Sequence, residues 1–179
     1  MAIERRNAVT FKGKPLTVIG PQLKVGDKAP DFKLVANDLS EVSLADSAGK
    51  VRLISVVHSL DTSVCDLQTR RFNQDVTGLG PNVAVLTVSA DLPFAQRRWC
   101  GAAGVERVQT LSDHRDMSFG EAYGTHIKEQ RLEQRSVFVV DDRDMIRYAE
   151  YVPEVTQHPN YDAALAAVRE VAGVRAVAR

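Results

Sequence analysis

A mostly apolar run that leads into a cysteine constrains this chain more than any other feature. Residues 51–57, VRLISVV, are typical of a buried strand. Three residues of the kind favoured at helix N-caps follow: Asp61, Thr62 and Ser63. Residues near helical spacing come next, with polar residues between them: Val64, Leu67, Gln68 and Phe72. The pattern predicts Cys65 in the first turn of a helix that follows a central strand.

That position favours a reactive thiol at Cys65. The nucleophilic form of cysteine is the thiolate, whereas an ordinary thiol with a pKa of about 8.5 is mostly protonated at pH 7. Unpaired backbone N–H groups and the positive end of the helix dipole stabilise a negative charge in the first turn. We therefore interpret Cys65 as a nucleophile. The alternative that these residues leave open is an inert structural cysteine at the start of a helix.

The segment around Cys65 resembles the active-site segment of peroxiredoxins, in particular of the bacterial thiol peroxidases. The peroxiredoxin pattern is proline, three residues, threonine or serine, two residues, cysteine. Thr62 and Cys65 match it, and the run DTSVCDLQTRRFN is similar to the thiol peroxidase version. His58 departs from the pattern, because the family has proline there. The resemblance implies that the Thr62 hydroxyl binds the thiolate or the peroxide.

A second segment, SADLPFAQRRWCG, closely resembles the part of thiol peroxidases that carries the resolving cysteine. Cys100 matches that cysteine and follows Cys65 by 35 residues. The resemblance therefore implies an intramolecular Cys65–Cys100 disulfide as a reaction intermediate, the atypical two-cysteine type. From its own neighbours, Cys100 could also be a small buried side chain beside Trp99.

A peroxidase of this kind also needs a cation. Attack of a thiolate on an O–O bond builds negative charge on the leaving oxygen, which a fixed guanidinium can stabilise. The residues alone leave several candidates: Arg70, Arg71, Arg97, Arg98, Arg131 and Arg135. Arg135 begins the apolar strand in QRSVFVVDD and matches the active-site arginine of the family. The resemblance selects Arg135.

Strands alternate with helices along the chain, which predicts an α/β fold with a central mixed sheet flanked by helices. Strands and hairpins are predicted at 8–19 (an N-terminal β-hairpin), 32–35, 42–44, 51–57, 83–89, 108–111 and 136–152. Further helices are predicted from Pro93 to Gly101 or Gly104, over 118–123 and over 161–171, with a frayed tail after Gly173. The resemblance, rather than periodicity, selects a thioredoxin-like fold over a flavodoxin-like one.

Length and composition set outer bounds. The 179 residues fit a single domain, 1–179, and a net charge of zero gives no electrostatic case for binding nucleic acid or an anionic membrane. No apolar run approaches the ~20 residues of a membrane span, and no signal peptide is visible, so we expect a cytoplasmic protein. The two cysteines in such a compartment favour a catalytic or redox role, and no motif indicates a metal.

The resemblance implies a complete reaction cycle. Cys65 would reduce hydrogen peroxide or an organic hydroperoxide and become a sulfenic acid, Cys100 would form the disulfide, and a thioredoxin-type dithiol would reduce it. It implies homodimers and requires no cofactor. Two alternatives use the same cysteines: a peroxide-responsive redox sensor or relay without efficient turnover, and a structural disulfide in a binding domain.

Overall fold

The computed structural model describes residues 2–173. Within this range the helices are α1 (Ser63–Asp75), α2 (Pro93–Ala103), α3 (Ser118–Tyr123) and α4 (Tyr161–Ala172). The strands are β1 (Glu4–Phe11), β2 (Lys14–Ile19), β3 (Leu34–Val35), β4 (Glu41–Val42), β5 (Val51–Val56), β6 (Val83–Ser89), β7 (Gln109–Ser112), β8 (His126–Ile127), β9 (Leu132–Glu133), β10 (Ser136–Val140) and β11 (Ile146–Tyr151). Short 3-10 turns lie at Leu44–Ser47 and Val76–Gly78.

Two sheets organise these elements. The larger has the order β11-β10-β5-β6-β7-β3-β4, with β5, β6 and β7 parallel and the remaining pairs antiparallel. The smaller has the order β1-β2-β8-β9 and is antiparallel. The predicted mixed sheet, flanking helices and N-terminal hairpin are thus confirmed. The sequence did not indicate β8 and β9, which have two residues each and therefore no periodicity of their own. They form by pairing, β8 with β2 and β9 with β8.

Strand β5 lies at the centre of the larger sheet, and all of its residues are buried. Its side chains alternate between two apolar clusters, as the geometry of a strand requires. Leu53 belongs to a cluster that includes Phe72 of α1 and Leu165 of α4. Ile54 belongs to the other cluster, which includes Phe119 of α3. The helices therefore cover both faces of the sheet, with α1 and α4 on the same face.

Arg52 interrupts the apolar run of β5 without leaving the interior. Its guanidinium is fully buried and donates to the carbonyl groups of Lys50 and Asp141 and to the Ser47 hydroxyl. It also pairs with the Asp144 carboxylate. A buried charge is tolerated only when it is paired and hydrogen-bonded, so Arg52 ties the start of β5 to the β10–β11 turn.

Glycines lie in the turn between β1 and β2 and at the end of α2. The β1–β2 turn has Lys12 and Gly13 with φ of 50° and 79°, values that glycine adopts without steric cost. Helix α2 runs through Gly101 and ends at Gly104, which has φ 65° and caps the helix in the left-handed conformation. Our prediction of a frayed tail concerns residues that lie outside the described range.

Candidate active site

Cys65 is the third residue of α1, as the sequence predicted, and its side chain is fully buried. It packs in the apolar cluster that also contains Leu60 and Phe72. Helix α1 begins after Thr62, the N-cap, whose extended backbone leaves its carbonyl to accept the Asp66 N–H at 2.9 Å. Cys65 therefore lies in the helical turn where a negative charge is most stabilised.

The Arg135 guanidinium contacts this thiol directly. Its Nη1 lies 3.2 Å from the Cys65 Sγ, although 70 residues separate the two in the chain. Arg135 immediately precedes β10, where Ser136 pairs with Val56, the last residue of β5. Since β5 leads into α1, this pairing places Arg135 beside the helix that carries Cys65. Of the arginines that the sequence left open, Arg135 is the one that the structure brings to Cys65.

Gln68 completes the site, and the sequence analysis missed it. Its Oε1 accepts from Arg135 Nη1 at 2.8 Å, and its Nε2 donates to the Ser55 hydroxyl at 2.7 Å. All three side chains are buried. Gln68 follows Cys65 by three residues, so both lie on the same face of α1. The available signal was a glutamine at a position in the helical pattern where an apolar residue would be expected.

The remaining contacts of Arg135 are with a neutral oxygen. Its Nε and Nη2 donate to the Val155 carbonyl at 3.2 and 2.7 Å. Among the contacts of residues 2–173, no carboxylate pairs with this 1% exposed guanidinium. Burying an unpaired charge is costly. Negative charge that develops on the Cys65 sulfur during a reaction would lie 3.2 Å from this guanidinium.

The Thr62 hydroxyl makes a different contact from the one predicted. It is exposed and donates to the Ser59 carbonyl at 2.8 Å. This bond holds the turn that leads into α1. A role for Thr62 toward the thiolate or a bound peroxide stays a prediction.

Cys100 lies in α2 and is half-buried, and both thiols are free. Its side chain packs against the same apolar cluster that contains Cys65. The neighbouring Trp99 joins the two helices, because its Nε1 donates to Asp66 Oδ1 at 2.9 Å. The two cysteines therefore belong to adjoining helices in the reduced protein.

The His58 ring is buried and contacts Glu133 and Phe11. Its Nδ1 lies 3.2 Å from the Glu133 carbonyl, which can only accept, so Nδ1 carries a proton. The ring stacks on Phe11 with centroids 5.7 Å apart. Burial, reinforced by the Arg135 charge, lowers the pKa of His58 below 6.5, although the Glu133 carbonyl acts in the opposite direction. A neutral ring adds no positive charge to the site.

In residues 2–173, no cluster of three or more His, Cys, Asp or Glu side chains is arranged to hold a metal ion. None of the described helices is both long and apolar enough to cross a membrane.

Comparison with known proteins places the chain in a family. Residues 24–165 match the Redoxin family. The chain belongs to the redoxin family. It is 60% identical to a thiol peroxidase of Bacillus subtilis over 161 residues, which cover 90% of this chain and 96% of that protein. A thiol peroxidase of Staphylococcus aureus is 55% identical over 163 residues, 91% of this chain and 98% of the relative. Within the redoxins, the chain therefore groups with the thiol peroxidases.

Solved structures agree with the fold. A peroxiredoxin-like protein from Aquifex aeolicus superposes with a TM-score of 0.86 at 39% identity, covering 92% of this chain and 97% of that one. A thiol peroxidase from Chromobacterium violaceum superposes with a TM-score of 0.82 at 22% identity, covering 90% and 95%, and supports the fold alone. The predicted thioredoxin-like architecture is confirmed.

Replacing Gln68 should slow the oxidation of Cys65. In Gln68→Met, Arg135 loses an acceptor and is held less firmly against the thiol. Because a hydrogen bond to a charged group contributes about 1.5–3 kcal/mol, we expect the second-order rate with peroxide to fall roughly tenfold to a hundredfold. Stopped-flow fluorescence of Trp99 would measure it. The control is Gln74→Met, an exposed position on the same helix. A normal rate in a folded Gln68→Met protein would contradict the positioning role.

Restoring proline at position 58 should leave the chemistry intact. His58→Pro removes the ring contacts with Glu133 and Phe11 but restores a fixed backbone dihedral. We expect the peroxide rate to be kept or raised, with slower amide exchange in residues 58–63. The pH profile should retain its shape, because the buried ring is neutral at pH 7. Loss of a step near pH 6.5 together with a higher thiol pKa would instead show that the imidazolium stabilises the thiolate.

Proposed function

We propose that the chain is a thiol-dependent peroxidase that reduces hydrogen peroxide and organic hydroperoxides. The observation that carries this proposal is the buried Arg135 guanidinium, 3.2 Å from Cys65 Sγ and otherwise bonded to neutral oxygens. A cation held in this way stabilises both the attacking thiolate and the charge on the leaving oxygen. The high identity to thiol peroxidases supports the same activity.

The first step joins Cys65 to the terminal oxygen of the peroxide. The sulfur electron pair forms an S–O bond as the O–O bond breaks, and the remaining oxygen leaves as hydroxide or alkoxide and takes a proton to become water or an alcohol. Cys65 becomes a sulfenic acid. Arg135 would stabilise the departing oxygen, and Thr62, at the N-cap, would orient the peroxide once its hydroxyl releases the Ser59 carbonyl.

A groove beside the N-terminal turn of α1 supports an organic substrate. It has a volume of about 610 Å³, and Leu60, Leu67 and Trp99 supply apolar surface to it. Leu67 is 53% exposed and lines this groove. The remaining lining residues are polar or charged: Asp61, Thr62, Ser63, Asp66 and Arg70. The apolar side chains therefore form one wall of a mostly polar groove, and that wall suits the carbon chain of an alkyl hydroperoxide. Cys65 is fully buried behind this turn, so the substrate reaches it only as the turn opens.

The second half of the cycle uses Cys100. Its thiolate would attack the sulfenic sulfur of Cys65, forming the disulfide and releasing water, and a thioredoxin-type dithiol would restore both thiols by exchange. The adjoining positions of α1 and α2 support an intramolecular bond. No resident cofactor takes part in this scheme. Following the family resemblance, we also propose a cytoplasmic homodimer.

Single cysteine variants should separate the two roles. Cys65→Ser should abolish peroxide consumption, because it removes the nucleophile. Cys100→Ser should keep the rapid first oxidation but stop recycling by thioredoxin, leaving a sulfenic acid that dimedone traps. Intact mass after one equivalent of hydroperoxide, together with a thioredoxin-coupled turnover assay, measures both. Turnover by Cys65→Ser, or dimedone labelling of Cys100, would reverse the assignment. A wild-type protein that oxidises once without cycling would be a sensor.

Oxidation should unwind part of α2. A disulfide requires Cα atoms about 4.4–6.8 Å apart, which two cysteines on separate intact helices rarely meet. Cys100 is half-buried near the Gly104 end of α2, whereas Cys65 is fully buried in α1. We therefore expect faster amide exchange in residues 94–101 of the disulfide form than of the reduced form. Exchange within β5 serves as the internal control. Equal protection of residues 94–101 in both forms would refute this prediction.

A further inference from the structure

The reduced Cys100 thiol is attached to the sheet by a pair of polar side chains. Its Sγ lies 3.5 Å from Oγ1 of Thr110, a buried residue of β7. The Thr110 hydroxyl in turn donates to Asn37 Oδ1 at 3.0 Å. All three residues line one groove of about 530 Å³. In the reduced protein, the Cys100 sulfur is therefore hydrogen-bonded to a residue outside its own helix.

The direction of these bonds follows from proton counting. A threonine hydroxyl has a single proton, and Thr110 gives it to the Asn37 carbonyl oxygen. The Thr110 oxygen can then only accept from Cys100, so the contact is S–H···O. This bond exists for the thiol and is lost in the thiolate, because the thiolate has no proton to donate.

We propose that Thr110 is a positioning residue that retains the resolving thiol of Cys100 and so sets the rate of disulfide formation. The inference rests on the proposed function, in which Cys100 attacks oxidised Cys65. Every attack requires Cys100 to lose its proton and move from β7, and each change breaks the bond to Thr110. Asn37 acts through Thr110, because it holds the hydroxyl proton away from the sulfur.

The step that Thr110 retards is formation of the Cys65–Cys100 disulfide. The Cys100 thiol loses a proton, and its sulfur electron pair forms the S–S bond with Cys65. The S–O bond of the sulfenic acid breaks, and the oxygen leaves as hydroxide, which takes a proton to give water. The two thiols have then been oxidised by the one peroxide already consumed.

Slower disulfide formation has a chemical consequence for Cys65. A sulfenic acid that waits can react with a second peroxide to give a sulfinic acid, which thiols do not reverse. The lifetime of the sulfenic acid, and thus the sensitivity of the protein to excess peroxide, would depend on how firmly Thr110 holds Cys100.

The test is Thr110→Val, which keeps the shape of the side chain and removes the acceptor. After one equivalent of peroxide, rapid quench and intact mass would follow the conversion of sulfenic acid to disulfide. We expect this conversion to be about threefold or more faster than in the wild type, the factor that corresponds to one net hydrogen bond. The yield of sulfinic acid at excess peroxide should fall in proportion.

Two variants serve as controls. Thr110→Ser keeps the hydroxyl and should restore the wild-type rate. Thr87→Val makes the same change at the buried residue of β6 that pairs with Thr110. Among residues 2–173, the Thr87 hydroxyl has no hydrogen-bond partner. This variant should leave the rate unchanged. A purely structural effect of valine in the sheet would appear in both valine variants.

Two results would contradict the role of Thr110. Wild-type or slower conversion in Thr110→Val would overturn it, and slower conversion would show that Thr110 donates to the thiolate instead. Equal acceleration in Thr87→Val would overturn it as well. Failure of the proposed function is distinct, because Cys65 would then not form a sulfenic acid in any of these proteins, including the wild type.

Discussion

The structure depends on one buried positive charge. Arg135 lies within the core, where its guanidinium bonds the Val155 carbonyl, Gln68 and the Cys65 sulfur. Water does not screen a charge in this position, and its attraction for a thiolate is correspondingly strong. The adjacency of β10 and β5 holds it there. The pairing of β10 with β5 thus also brings the guanidinium of Arg135 to the Cys65 sulfur.

The two cysteines lie in settings that match different tasks. Cys65 is enclosed at the start of α1, a helix whose Gln68 is bonded both to Arg135 and to Ser55 of β5. Cys100 is half-buried on α2, packs at the edge of the apolar cluster, and is hydrogen-bonded to Thr110. A nucleophile benefits from a rigid, preorganised site, whereas a resolving thiol must travel. The fold holds Cys65 in place, whereas Cys100 has weaker contacts to break when it moves.

His58 shows how a family position can change without removing the site. Proline would restrict the backbone before the turn, and histidine replaces that restraint with contacts of its ring. The Nδ1 bond to the Glu133 carbonyl and the stacking on Phe11 attach the turn to β9 and β1. Because burial favours the neutral ring, the electrostatics at Cys65 still come from Arg135 and the start of α1.

The sequence alone predicts the order of the main elements, the strand-to-helix junction and the location of Cys65 in the first helical turn. These features depend on local patterns: apolar runs, helical spacing, N-cap residues and glycine at turns. Resemblance to known segments added Cys100 and Arg135. Other features follow from the tertiary structure alone. Arg135 reaches Cys65 across 70 residues, and Gln68 accepts a hydrogen bond from Arg135. The His58 ring bonds the Glu133 carbonyl, and β8 pairs with β9. Each of these depends on which strands lie side by side, and side-chain periodicity along one segment carries no information about its neighbour in the sheet.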